Sequence, residues 1–201
     1  MKKYLLGALG IAVAGAVAFS VSRTAPVESL EVGKVGPSFT LKDVGGKEYS
    51  LKGFLESKFT VLMFIATQCP VSNAYKERMV QLEKEYAPKD IAFVGINSNK
   101  QEDIAEIKEH AAEHGFRFPV LKDWNNVVAD EYGAQFTPEI FVLDGKGIVR
   151  YHGRIDDAKN PEKITTHDLS ETLDSLLAGK PVPRPETKAF GCTIKRVKKE
   201  S

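Results

Sequence analysis

The sequence predicts an α/β domain in which a mixed central sheet is flanked by helices and preceded by an N-terminal β-hairpin extension; three observations carry that prediction. Two apolar runs, Phe59 to Ala66 and Ile91 to Asn97, contain β-branched and aromatic residues without alternation, as strands buried on both faces do. Each is followed by a stretch with apolar residues at three- and four-residue spacing, so helical crossovers return the chain and these strands run parallel. Glu139 to Leu143 and Ile148 to His152 flank the turn Asp144-Gly145-Lys146-Gly147, which adds an antiparallel pair and makes the sheet mixed.

The remaining elements follow in chain order. Phe39 to Asp43 and Glu48 to Leu51 form the hairpin, because Gly45 and Gly46 between them supply positive φ cheaply. A helix is predicted from Val71, with Tyr75, Met79, Leu82 and Tyr86 on one face and an end near Pro88. Ile104, Ile107 and Ala111 make the stripe of a second helix that stops at His114-Gly115. Phe118 to Leu121 reads as a short strand, and Asn126 to Tyr132 as a short helix ended by Gly133. Thr165 and Asp168 form a capping-box pattern ahead of Leu169, Leu173, Leu176 and Leu177, which line the last helix up to Gly179. Pro181, Pro183 and Pro185 then end regular structure and stiffen the approach to Gly191-Cys192.

Composition narrows the function. The 201 residues are 42% hydrophobic and 27% charged, which suits one packed globule, and the formal charge of +1 provides no field to recruit nucleic acid. The basic run Lys195, Arg196, Lys198, Lys199 reads as a solvated tail. Lys2 and Lys3 followed by an uncharged Ala- and Gly-rich stretch from Tyr4 to Ser22, with Ala16-Val17-Ala18 as a cleavage site, read as a targeting segment. Residues 1–25 are therefore a signal peptide or an uncleaved N-terminal anchor, the only contact with a membrane. The expected domain spans 26–180, the Pro-rich tail 181–201, and the location is periplasmic or extracellular.

Two cysteines stand in that exported domain, Cys69 and Cys192. A staple between them closes a loop long enough to stabilise by about 4–5 kcal/mol in the chain-entropy model. Cys69, however, sits where a buried strand delivers the chain into a helix, with free N–H groups and the positive end of the helix dipole at its sulfur. That setting favours the thiolate and makes a nucleophile for disulfide exchange or peroxide attack. Pro70 suits the first helical position, where its missing N–H is no loss.

Four segments in order carry a family resemblance: Gly36-Pro37-Ser38-Phe39-Thr40-Leu41-Lys42-Asp43, the strand before Ala66-Thr67-Gln68-Cys69-Pro70, Phe118 to Asp123, and Thr137-Pro138 to Asp144. Over about Val35 to Leu177 the chain resembles the redoxin branch of the thioredoxin superfamily, which includes peroxiredoxins and envelope thiol-disulfide oxidoreductases. The resemblance implies a thioredoxin-like fold, a nucleophilic Cys69, and a cis Thr137-Pro138 bond whose proline packs beside the active-site sulfur. It also implies protein thiols or disulfides as substrates, a reductant protein as partner, small peroxides as a further substrate class, and no cofactor.

Departures from the pattern set limits. Thioredoxin-like reductases carry CxxC, whereas this chain reads Cys69-Pro70-Val71-Ser72, so no dithiol cycle runs inside that motif. In place of the peroxiredoxin PxxxTxxC, Ile65 and Ala66 occupy the proline and threonine positions; the peroxide-orienting hydroxyl is missing unless Thr67 or Ser72 substitutes. The expected site thus comprises Cys69 and Cys192 with Thr67, Pro70, Ser72, Thr137 and Pro138 around them. Cys192 either resolves a mixed disulfide or sulfenic acid on Cys69, serves only as a staple, or pairs with another chain. No metal site is expected, since His110 and His114 fall on a polar helix face and no CxxxC copper motif is present. Trp124, Tyr75 and Phe136 read as core aromatics, and Arg117, Arg150 and Arg154 as surface charge.

Overall fold

The computed structural model describes residues 29–199. The targeting segment at 1–25 lies outside the described residues. Nine strands and six helices follow: β1 (Thr40–Asp43), β2 (Glu48–Ser50), α1 (Leu51–Phe54), β3 (Phe59–Phe64), α2 (Pro70–Ala74), α3 (Lys76–Tyr86), β4 (Ile91–Asn97), α4 (Ile104–Glu113), β5 (Val120–Lys122), α5 (Val127–Glu131), β6 (Phe136–Thr137), β7 (Glu139–Asp144), β8 (Val149–Gly153), α6 (Asp168–Leu177) and β9 (Cys192–Thr193). Seven strands form one sheet in the order β2-β1-β5-β4-β3-β7-β8, and β6 and β9 form a separate two-stranded ladder.

The centre of the sheet is as the apolar runs predict. β3 and β4 are parallel, with Val61 opposite Phe93 and Phe64 opposite Ile96, and β7 runs antiparallel on the other side of β3. Alternate residues of β3 feed opposite cores: Val61 and Met63 pack with Tyr75, Met79, Ile107 and Leu173, while Leu62 and Phe64 pack with Val128, Tyr132 and Phe141. Burial on both faces is what removed alternation from its sequence. Parallel β3 and β4 bring their C-terminal ends to one edge, where the loops after them meet.

Several expectations need correction. The helix predicted from Val71 is two helices, because the Tyr75 N–H bonds to the Ser72 carbonyl three residues back and tightens the turn between α2 and α3. Leu51 starts α1, capped by the Ser50 side chain, and does not extend β2. The capping box at Thr165 does not form: Thr165 is held by Asp157, Asp168 is held by Arg154 and Arg184, and α6 starts after His167 without a side-chain cap. Trp124 is 57% exposed and not a core aromatic. His110 is half-buried, in edge-to-face contact with His114 and Phe116, with its Nε2 2.7 Å from the Asn73 Oδ1, so its ring is packed rather than solvated.

The largest correction concerns the tail. Ile194 is buried, Arg196 and Lys199 pair with Asp130, and the backbone of Ile194 to Val197 is tied down along its length. The Ile194 N–H donates to the Gln135 carbonyl, the Lys195 N–H to Asn99 Oδ1 (2.7 Å) and the Val197 N–H to Asn126 Oδ1 (2.7 Å). Charge alone suggested a solvated run; the partners for these groups lie in α5 and in segments distant in sequence.

Candidate active site

The site forms at that shared edge. β3 ends at Phe64, and Cys69 caps α2 in extended conformation, with Pro70 at the first helical position. The Ser72 N–H donates to Cys69 Sγ (3.3 Å), and the protonated thiol donates to the Thr137 carbonyl (3.2 Å). Cys69 is 3% exposed. The Thr137-Pro138 peptide is cis, and Pro138 is buried.

Thr137 is also the link to the second cysteine. In the β6–β9 ladder Thr137 stands opposite Cys192, and its hydroxyl donates to the Cys192 carbonyl (3.4 Å). This places Cys192 beside Cys69 within hydrogen-bonding reach; both are free thiols. Gly191 makes the approach feasible: φ is +155°, and a Cβ there would stand 2.1 Å from the Thr137 carbonyl oxygen.

The two thiols are pushed in opposite directions. Burial by itself raises the Cys69 thiol, but hydrogen bonds from Cys192, from Thr137 and from the Ser72 and Cys192 backbone outweigh it and hold Cys69 below the ordinary cysteine value. Cys192 is raised by burial, by its hydrogen bond to Cys69 and by the negative charge there, against which the Val71 N–H and Lys195 pull weakly. Deprotonation is thus easier at Cys69 than at its neighbour Cys192.

Two other expected site residues are engaged elsewhere. The Thr67 hydroxyl donates to Glu106 Oε1 (2.6 Å), and Ser72 Oγ accepts from the Ala66 N–H (3.2 Å). Of the three arginines considered, Arg117 is exposed, Arg150 pairs with Asp144 at the far end of β7, and Arg154 pairs with Asp168. Arg78, not singled out by sequence, stacks 3.6 Å over the Tyr75 ring and pairs with Asp156, whose other oxygen accepts from the Tyr75 hydroxyl. Burial and Asp156 push that phenol well above its ordinary value.

Sequence reasoning also missed the residues beneath the loops. Glu102 is 0% exposed, and its carboxylate accepts from the N–H groups of Thr67 (2.8 Å) and Gln68 (3.1 Å) and from the amides of Asn97 and Asn99. Burial would raise its pKa, but these four donors hold it below the usual carboxylate range. Buried Lys122 closes the network, donating to Asn97 Oδ1 and to the Asn99 carbonyl (2.6 Å), with its ammonium 5.1 Å from the Trp124 ring centre. Burial lowers this lysine, although Glu102 and Asp123 oppose the shift. On the other side, Glu139 accepts from the N–H groups of Gln135 (2.7 Å) and Phe136 (2.8 Å), and its Oε1 lies 2.7 Å from His152 Nε2. Among the described residues no group of three or more His, Cys, Asp and Glu stands close enough together to hold a metal ion.

A mixed sheet with a cysteine at a helix N-cap facing a cis-proline defines a thioredoxin-fold protein. Residues 32–152 match the AhpC/TSA family, and the chain belongs to it. It is 29% identical over 167 residues to the thiol-disulfide oxidoreductase ResA of Bacillus thuringiensis strain Al Hakam, covering 82% of this chain and 88% of that one. It is 29% identical over 151 residues to the thiol:disulfide interchange protein DsbE of Escherichia coli K12, covering 70% and 78%. Among solved structures, an uncharacterized conserved protein from Geobacillus kaustophilus superposes with a TM-score of 0.80 at 34% identity, covering 85% of this chain and 94% of that one.

Proposed function

We propose that the chain is an exported thiol-disulfide oxidoreductase that works through Cys69, with Cys192 as the resolving thiol. The observation that carries this reading is the placement of two free thiols side by side, one favoured as thiolate at a helix N-cap and the other delivered by the tail. Similarity to ResA and DsbE, named for thiol-disulfide chemistry, supports the same class.

The reaction follows from those positions. The Cys69 thiolate attacks one sulfur of a substrate disulfide, forming a mixed disulfide and expelling the other sulfur as a thiolate, which takes up a proton. Cys192, on losing its proton, attacks the Cys69 sulfur, forms the Cys69–Cys192 disulfide and releases the second substrate thiolate. The substrate gains two electrons, the cysteine pair loses two, and a dithiol reductant protein returns the pair to thiols. The Thr137 carbonyl, before the cis Pro138, accepts from the thiol, the Ser72 N–H donates to the sulfur, and Pro70 starts the helix there. Peroxide reduction draws less support, because Ala66 stands at the threonine position and the Thr67 hydroxyl donates to Glu106. An extracytoplasmic location rests on the segment at 1–25, and among the described residues no helix is long and apolar enough to cross a membrane.

A second reading, in which the fold is a binding module and the pair only a staple, is supported by the burial of Cys69. Alkylation of the reduced protein against pH separates the two, with Cys69→Ser and Cys192→Ser as controls. Exchange requires a midpoint below the ordinary cysteine value that disappears in Cys69→Ser; two ordinary thiol titrations leave the staple.

A further inference from the structure

Beyond the thiols themselves, one buried amide joins the two parts of the chain that carry them. Asn99 lies in the loop between β4 and α4 and is buried. Its Nδ2 donates to Glu102 Oε1 (2.8 Å), the oxygen that also accepts from the Gln68 N–H, one residue before Cys69. Its Oδ1 accepts from the Lys195 N–H (2.7 Å), three residues after Cys192. The backbone repeats the link, since the Lys100 N–H donates to the Lys195 carbonyl (2.9 Å), and Lys122 anchors the Asn99 carbonyl from below. Both ends of the Asn99 amide are therefore used in one direction each, and it touches neither sulfur.

We infer that Asn99 is a positioning residue that sets the register of Cys192 against Cys69, by tying Glu102 and the loop it holds to the tail strand. An amide suits this task because it donates at one end and accepts at the other. A carboxylate at 99 would oppose Glu102, and an apolar residue would leave the Glu102 oxygen and the Lys195 N–H short of a partner. The inference rests on the exchange reading above, in which the rate and equilibrium of disulfide closure depend on how closely the two sulfurs are held.

The test compares closure of the pair with reactivity of Cys69 alone. The full chain is equilibrated with mixtures of reduced and oxidised glutathione; oxidised glutathione takes two electrons and two protons from the thiols and leaves as two molecules of reduced glutathione. The ratio at half-closure gives the effective concentration of Cys192 at Cys69. Asn99→Ala is expected to lower it about tenfold, the size of one lost hydrogen bond to a buried polar group. Lys195→Pro, which deletes the tail N–H together with the ammonium, is expected to lower it similarly relative to Lys195→Ala, which loses the same ammonium but keeps the N–H. It also serves if Asn99→Ala fails to fold. In the Cys192→Ser background, the rate and pH midpoint of Cys69 alkylation are expected to stay the same with and without the Asn99 change.

Unchanged effective concentration in both variants overturns the inference, as does a parallel loss of Cys69 reactivity in the Cys192→Ser background, which would make Asn99 a support for the nucleophile's loop alone. A parent chain that forms no Cys69–Cys192 disulfide at any glutathione ratio overturns the exchange reading itself, and the register role with it.

Discussion

Glu102 and Glu139 each accept two consecutive backbone N–H groups from a loop beside the thiol pair, yet their remaining oxygen valences are filled differently. Glu102 is enclosed by neutral amides, with Lys122 one hydrogen bond further out, and has no measurable exposure. Glu139 meets an imidazole, His152, which stacks on Phe141, and both line a cavity of about 520 Å³ that also touches Glu186 and Lys188 of the tail. The nucleophile's loop thus hangs from a sealed anchor, and the cis-proline loop from one with space beside it. A buried acceptor that water cannot reach is the more expensive to remove, so the two anchors should differ in energy despite gripping the same number of N–H groups.

The largest effect is expected from Glu102→Ala. Four donors lose their acceptor in a site closed to water, which should lower unfolding stability by on the order of 3–5 kcal/mol, read from urea midpoints. Glu139→Ala should cost less, about 2–3 kcal/mol, because water entering the adjoining cavity can satisfy the Gln135 and Phe136 N–H groups. Equal losses in the two variants would break the distinction between sealed and open anchors.

Gly191→Ala probes the tail on the Glu139 side. The new methyl meets the Thr137 carbonyl, and relieving that contact should separate β9 from β6 at about 1–3 kcal/mol. Alkylation of Cys192 faster than in the parent is the expected signature.

Acid sharpens the account of Glu102. Its folded-state pKa lies below the ordinary glutamate value, so the stability it contributes is fully present above that value and is lost as pH falls through the depressed one. Asp130 and Asp168, lowered against burial by their basic partners, act with the same sign. In Glu102→Gln the acid limb of the stability curve should therefore be shallower than in the parent. The smallest effect is expected from Arg196→Ala. Its pair with Asp130 is 28% and 26% exposed and should contribute no more than about 1 kcal/mol, with the tail still held by its backbone hydrogen bonds.

How much of this was legible follows from where each signal resides. β3, Cys69 and Pro70 announce themselves because a strand buried on both faces must be continuously apolar and a helix start has its own residue preferences. Thr137-Pro138 was readable through the family pattern. Glu102 and Asn99 were not, since they lie in the loop between β4 and α4, where no periodicity operates, and their partners at 67, 68 and 195 are remote in sequence. The tail failed for a related reason: four basic residues in five positions look solvated until Asp130 and the acceptors of Asn99 and Asn126 are placed beside them. The break at Tyr75 is likewise invisible to a pattern of apolar residues that continues unbroken through it.

Trp124 is the only tryptophan of the chain, and it stands over the ammonium of Lys122, which is bonded to Asn97 and Asn99. The molecule consequently carries its own optical reporter. A shift of the Asn99 carbonyl changes the charge facing the indole, so closing or opening the cysteine pair should alter the emission of this one fluorophore, and a stopped-flow trace of the unlabelled protein should time the movement of the tail.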